Sequence, residues 1–341
     1  MAPQLRSAGI IGIGSFAPPK VLSNLDLEKI VDTTDEWIVT RSGIKERRIV
    51  ENGVAASDLA LEAAEHALES GSFSPDEIDL VICATITGDM PFPATASLIQ
   101  DGIGAVNAPA FDLQAGCSGW VYALSVAAQF VQARTYERIL VVGVDILSCV
   151  TDWTDRSTCV LFGDGAGAAV VGPVPDGAGV LSTILGSDGS GSELLKIDAG
   201  GSKLPASAET VEERRHYIQM AGREVFKFAV RIMSEASVQA LEACGLTPHD
   251  VDLFVPHQAN VRIIDAAAKR LELPSEKVFA NVENYGNTSA GSIPLALDEA
   301  YRTGRIKEGD IVVVVGFGAG LTWAAAVLKW TLPAAGNSSR T

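Results

Sequence analysis

Three side chains in this sequence sit in contexts that suit thioester or carbonyl chemistry. Cys117 lies in Gln114-Ala115-Gly116-Cys117-Ser118-Gly119, between the strand-like Phe111-Asp112-Leu113 and an apolar helix. Small neighbours leave the sulfur room for a bulky electrophile, and a helix N-terminus is expected to favour thiolate over thiol. His257 follows a buried-strand pattern in Phe254-Val255-Pro256-His257-Gln258-Ala259-Asn260. An imidazole there can donate a hydrogen bond to a developing oxyanion or exchange a proton. Asn287, in Asn284-Tyr285-Gly286-Asn287-Thr288-Ser289, carries an amide that donates without titrating. Gly316-Phe317-Gly318-Ala319-Gly320 is expected to turn between the last two strands, letting a backbone N–H approach a substrate oxygen. Each residue also has a plainer reading. Cys117 could be a small core hydrophobe, His257 a packed histidine, Asn287 a helix cap and the glycines a tight turn. Cys83, Cys149, Cys159 and Cys244 read as structural, Cys83 and Cys159 in strand-like contexts, and His66, His216 and His249 as surface residues.

Elements must bring these groups together, and the chain repeats itself. ALESGSFSPDEIDL (67–80) matches ALEACGLTPHDVDL (240–253) at an offset of 173, with six of fourteen positions identical. At that offset ILVVG (139–143) falls on VVVVG (312–316), Gly116 on Ser289 and Gly119 on Ser292. Two copies of one unit, 1–173 and 174–341, are expected, the first carrying the cysteine and the second the histidine and amide. Each copy reads as an amphipathic helix, a Ser/Thr-Pro turn and a buried strand (80–84; 253–255). A second strand (110–113; 278–282), an apolar helix and a β-branched strand follow. Alternating strands and helices imply parallel sheets covered on both faces. Segment 118–131 is apolar nearly all round, as a core helix is. Two sheets sharing such helices give a five-layered αβαβα fold, with a ligand site where strand C-termini and helix N-termini of the halves meet.

Composition narrows the function. The 341 residues are 47% apolar and 20% charged, as in well-cored globular proteins. With 26 Lys and Arg against 42 Asp and Glu, the net charge is −16, which argues against binding nucleic acid by neutralising phosphates. An anionic partner would need a local basic patch. Five cysteines without a C-x-x-C pair and four scattered histidines fit neither a disulfide framework nor a structural zinc site, so a reducing, cytoplasmic setting is expected. The segment 1–19 has too short an apolar run for a signal sequence. Ile311–Leu328 is 18 residues without a charge, long enough to enter a membrane. Its Gly316, Gly318 and Gly320 divide it into two buried strands instead. Gly12-Ile13-Gly14-Ser15-Phe16-Ala17 mimics a dinucleotide fingerprint, but Pro18 and Pro19 occupy the phosphate-binding helix position. Phe162–Gly167 lacks the Lys-Ser/Thr of a phosphate loop. No metal or organic cofactor is indicated.

Taken together, the Cys117 turn, His257 in PHQAN, Asn287 in YGNTSAGS and the GFGAGLTW turn resemble the thiolase superfamily. Within it, they resemble the β-ketoacyl-acyl-carrier-protein synthase III family. DEWIVTRSGI (35–44), Asp155-Arg156, FGDGAGAAV (162–170) and MAGREVFK (220–227) extend the resemblance over residues 8–330. It implies that Cys117 takes an acyl group from a short acyl-CoA. His257 and Asn287 would donate to the enolate formed when malonyl-acyl-carrier protein loses carbon dioxide, and the N–H groups of Cys117 and Ala319 would form the oxyanion hole. Many relatives carry Gly where this chain has Ala319, so that donor requires an ordinary dihedral there. The resemblance also implies that Trp37, Arg41, Arg156 and Asn260 bind CoA. Lys227, Arg262, Lys269 and Arg270 would dock the carrier protein, and Phe92, in the Asp89–Pro93 loop, would reach the acyl pocket of a homodimer partner. Without the resemblance these are a half-buried helix residue, surface ion-pair partners and a rigid exposed loop. Alternatives are a homologue serving polyketide, quinolone or head-to-head condensation, or, in a different class, a Cys-His thioester hydrolase. A non-catalytic binding role is least supported, since nothing replaces the nucleophile.

Overall fold

A computed structural model describes residues 5–335. The first half forms a five-stranded sheet in the order Ala8–Phe16, Asp164–Pro173, Ile139–Ile146, Leu80–Ala84, Ala110–Leu113. The second forms a four-stranded sheet in the corresponding order Gly179–Ser187, Thr322–Lys329, Ile311–Gly318, Leu253–Pro256. Both central strands alternate apolar side chains between two covered faces. Leu80 and Ile82 join the core between the sheets, while Val81 and Cys83 join the outer core.

Two expectations need correction. The sheets are mixed, not parallel throughout. Leu80–Ala84 runs parallel to both its neighbours, but Ile139–Ile146 and Ala8–Phe16 are each antiparallel to Asp164–Pro173. In the second half, Ile311–Gly318 and Thr322–Lys329 are joined by the short turn Ala319–Leu321, which only an antiparallel pair can use. The expected strand 278–282 shrinks to a single bridge between Val278 and Phe254. There the Gln258 side chain intervenes, its Oε1 accepting from the Asn281 and Val282 N–H groups, and the chain turns into a short helix, Val282–Tyr285.

The helices complete five layers, αβαβα. Gly119–Gln132 and Ser292–Arg302 lie between the sheets. Their Trp120, Leu124, Val131 and Ala296 share one core with Ile82, Val141, Val255 and Val314. Ala56–Gly71 and Thr95–Ile103 cover the outside of the first sheet, and Gly222–Ala243 and Val261–Arg270 the outside of the second. The fingerprint mimic at Gly12 and Gly14 lies inside a strand. A Cβ on Gly14 would sit 2.4 Å from Ala67 N, so this glycine lets helix Ala56–Gly71 press on the sheet. The uncharged segment 311–328 is a β-hairpin, and no helix among the described residues is long and apolar enough to cross a membrane.

Some minor assignments also change. His66 is half-buried, with Nδ1 2.9 Å from Ser15 O, and His216 meets the Thr210 hydroxyl at 2.9 Å, whereas His249 is exposed. Cys159 ends a helical turn, Arg156–Cys159, rather than lying in a strand.

Candidate active site

The N-termini of the two central helices meet, each introduced by a tight helical turn, Gly116–Ser118 in one half and Ser289–Gly291 in the other. Gly116 and Ser289 occupy equivalent places and share a left-handed backbone, with φ +55° and +50°. Cys117 is partly exposed in the first turn. Its helix end was expected to favour the thiolate, but desolvation outweighs it. Burial pushes the thiol up to about 12, opposed by the Ser289 hydroxyl and reinforced by the Asp145 charge.

The turn Gly318–Ala319 packs against this turn, backbone on backbone. A Cβ on Gly318 would lie 2.4 Å from Cys117 N, and one on Gly116 would lie 2.7 Å from Ala319 N. That contact brings the backbone nitrogen of each residue, Cys117 and Ala319, against a glycine of the other half. The left-handed dihedral of the turn falls on Gly320 (φ +73°) and Leu321 (φ +45°), so Ala319 needs no unusual backbone and its methyl is tolerated. The expected turn is also shorter, since Gly316 and Phe317 still belong to the strand. Thr322 and Ser118 hydroxyls both donate to Ala115 O, at 2.8 and 2.7 Å, tying the halves together beside the sulfur.

His257 is buried at the end of Leu253–Pro256, its ring edge against Phe317. Its Nδ1 lies 2.6 Å from the Ser292 hydroxyl, which itself receives the Gln258 N–H at 3.5 Å. When the Ser292 hydroxyl donates to Nδ1, the ring proton is left on Nε2, where it can serve as a donor. Burial holds the imidazole down to about 3, so it stays neutral. Asn287 is buried too, and its Oδ1 accepts from Ser289 N at 2.8 Å. That bond is the cap-like arrangement seen as an alternative, and it leaves the amide NH2 as a free donor. Backbone bonds from Asn287 N to Leu161 O (2.8 Å) and from Gly163 N to Asn287 O (3.0 Å) fix it against the first half.

Cys117, His257 and Asn287 line one cavity of about 320 Å³, whose rim carries Trp37, Arg41 and Asn260. Cys117 and Ala319 also line a second cavity of about 950 Å³, bordered by Met90, Leu147, Phe162 and Ile218. The sulfur therefore stands between two chambers. At the rim, the Arg156 and Arg41 guanidinium groups approach the Trp37 ring at 4.9 and 5.8 Å, and Asn260 Nδ2 donates to Arg41 O at 3.0 Å. Lys227, Arg262, Lys269 and Arg270 are exposed on the two helices covering the second sheet, with Arg262 over Phe226 at 5.5 Å. Phe92 is 85% exposed and lies outside both chambers of its own chain.

Sequence comparison matches residues 111–189 to the family described as 3-oxoacyl-[acyl-carrier-protein (ACP)] synthase III, and residues 241–330 to its C-terminal region. The β-ketoacyl-[acyl-carrier-protein] synthase III of Caldanaerobacter subterraneus subsp. tengcongensis is 57% identical over 325 residues, covering 95% of this chain and 98% of its own. The chain belongs to the β-ketoacyl-[acyl-carrier-protein] synthase III family. The crystal structure of the Thermus thermophilus synthase III superposes with a TM-score of 0.89 at 51% identity, covering 95% of this chain and 99% of that one. The priming β-ketosynthase of the R1128 polyketide pathway does so with a TM-score of 0.90 at 39% identity, covering 98% and 99%.

For a synthase III chain, two positioning groups were not legible in advance. Ser292 sets the His257 tautomer and Thr322 holds the Ala115 carbonyl. Ser292 falls at the repeat position of Gly119, the one signal that placed it beside the cysteine turn. The neutral imidazole has a measurable consequence. Between pH 6.5 and about 3 the unfolded chain binds a proton at His257 that the folded chain refuses. This contribution to stability is intact above 6.5 and is lost as pH falls. Urea midpoints should drop with acid more steeply for the wild type than for His257→Gln, and parallel curves would refute the buried neutral ring.

Proposed function

We propose that this chain starts fatty-acid synthesis in the cytoplasm by condensing a short acyl-CoA with malonyl-acyl-carrier protein, releasing CoA and carbon dioxide. The observation that carries the reading is the convergence of Cys117, His257 and Asn287, from both halves, on one cavity beside two aligned backbone donors. We read those halves, 1–173 and 174–341, as copies of one unit, supported by the equivalent turns Gly116–Ser118 and Ser289–Gly291.

In acylation the Cys117 sulfur attacks the thioester carbonyl. The oxyanion is held by the Cys117 and Ala319 N–H groups, and the CoA sulfur departs. Losing one donor of this kind costs about 3 to 4 kcal/mol. Malonyl-acyl-carrier protein then enters the emptied channel. As its carboxylate leaves, the thioester oxygen takes up charge and receives hydrogen bonds from His257 Nε2–H and the Asn287 amide. Two neutral donors suit this step, because a cationic imidazole would be costly to bury. The carbanion attacks the acyl-enzyme and the sulfur is released. The larger chamber beyond Cys117 would take the acyl chain. Trp37, Arg41, Arg156 and Asn260 would hold the nucleotide end of CoA by stacking and charge-assisted hydrogen bonds.

Intact-mass analysis tests the reaction. Wild type incubated with acetyl- or isobutyryl-CoA should gain one acyl mass, and Cys117→Ala none. Malonyl-carrier protein should discharge it as a β-ketoacyl product. Release by water alone, with no dependence on malonyl-carrier protein, would instead establish a thioester hydrolase.

The carrier protein is acidic, and Lys227, Arg262, Lys269 and Arg270 supply the local positive field that a chain of net charge −16 otherwise lacks. Arg262→Glu with Lys269→Glu should raise KM for malonyl-carrier protein about tenfold and leave acylation by acyl-CoA unchanged. An unchanged KM would rule the patch out.

A homodimer is supported by exposed apolar side chains. Phe92, Val106 and Met90 are exposed at 85%, 76% and 46%, and the edge strand Ala110–Leu113 carries an exposed Phe111. Phe92 of one protomer would then close the acyl chamber of the other. Light scattering at micromolar concentration should give twice the chain mass, and a monomer would overturn this.

A further inference from the structure

The two side-chain donors of the site stand on separate segments. His257 follows the strand Leu253–Pro256, and Asn287 follows the short helix Val282–Tyr285. Between these segments a parallel ladder begins at the Val278–Phe254 bridge, where the Phe279 N–H donates to Phe254 O at 2.9 Å. At its next step such a ladder would carry an N–H from residue 256 to Phe279 O, and the Asn281 N–H to Pro256 O. Proline has no N–H, so that step cannot be completed by backbone alone.

The Gln258 side chain completes it. Its Nε2 donates to Pro256 O at 2.7 Å and to Phe279 O at 3.2 Å, and its Oε1 accepts from Asn281 N at 2.9 Å and Val282 N at 3.3 Å. One amide thereby meets four backbone groups with its two donors and two lone pairs. Gln258 is fully buried, where an unmet donor or acceptor is costly. The amide stands between the two segments, so its width sets how far apart they run before the chain turns into the helix that leads to Asn287.

Two further bonds close a ring. The Gln258 N–H reaches the Ser292 hydroxyl at 3.5 Å, the same hydroxyl that lies 2.6 Å from His257 Nδ1. Asn281 Nδ2 donates to Glu299 Oε2 at 2.9 Å, on the helix that Ser292 begins. The His257 N–H is itself fixed on Val315 O at 2.8 Å. None of these bonds involves the Cys117 turn or the Ala319 turn.

We propose that Gln258 is a positioning residue for decarboxylation. It touches no substrate; its amide sets the spacing of the His257 Nε2–H and the Asn287 amide, so that both reach one thioester oxygen. This inference rests on the proposed condensation, of which it concerns the second half-reaction.

Two variants test it. Gln258→Leu removes all four side-chain bonds, whereas Gln258→Glu keeps the shape and the acceptor oxygen and gives up the amide donors. Formation of acetyl-carrier protein from malonyl-carrier protein, without acyl-CoA, should fall about a hundredfold in Gln258→Leu and about tenfold in Gln258→Glu, because small displacements of reacting groups have effects of this size. The fall should lie in kcat, with KM for malonyl-carrier protein unchanged. Rapid-quench acyl-enzyme formation from acetyl-CoA, which uses the Cys117 and Ala319 N–H groups, should stay within about threefold of wild type in both variants. A decarboxylation loss under about threefold in Gln258→Leu overturns the assignment. So does an equal fall in both half-reactions, or failure of both variants to fold, either of which marks a residue of the fold alone. If the wild type itself neither forms an acyl-enzyme nor decarboxylates malonyl-carrier protein, the proposed function fails instead.

Discussion

The site depends on one close contact, the backbone of Gly116–Cys117 against that of Gly318–Ala319. Neither Gly116 nor Gly318 has room for a Cβ. Because the two stretches of main chain touch, the nitrogens of Cys117 and Ala319 each lie against a glycine of the opposite half, with no side chain between. A longer separation would keep two such donors from reaching one substrate oxygen, and stabilisation by fixed dipoles would be lost. The rest of the fold can be read as the apparatus holding that contact. Two sheets clamp two central helices, and the adjoining hydroxyls of Ser118 and Thr322 both hold the Ala115 carbonyl.

The electrostatics of the site follow from its enclosure. Desolvation disfavours every charge a reacting side chain would carry, pushing the thiol up and holding the imidazole down. Charge appears only in the reaction itself, on substrate oxygens, where neutral donors already point. His257 contributes a proton at a fixed atom because Ser292 holds the opposite nitrogen. Asn287 contributes its NH2 because Ser289 N holds its oxygen. Asp145 is the nearby buried carboxylate, made tolerable by a ring of donors. Arg41 and Arg156 stand at the rim, and Lys227, Arg262, Lys269 and Arg270 are exposed on the outer helices, where water solvates them.

Much of this was legible in the residues. The repeat at offset 173 predicted which turn of one half would face which turn of the other, and the equivalent turns do meet. Apolar runs such as ILVVG and the all-round apolar segment after Cys117 predicted buried strands and a central helix. The errors have physical causes. Strand direction depends on how a connection closes, which composition does not encode. Strand 278–282 was lost because a side chain, Gln258 Oε1, took the place of a ladder partner. The cysteine's expected acidity considered the helix end but not the depth of burial.

Sequence alone therefore determined the chemistry available. It offered a candidate nucleophile, two candidate donors and a glycine turn, carried a repeat at offset 173, and through its ordered motifs indicated the family. Only the tertiary structure decided the state in which those groups wait. Burial from both halves pushes up the Cys117 thiol and holds down the His257 imidazole, the Ser292 hydroxyl meets His257 Nδ1, and Ser289 N holds the Asn287 carboxamide oxygen. A residue type fixes what a group can donate or accept. Its environment fixes which of these it does, because desolvation and hydrogen bonds act through space rather than along the chain.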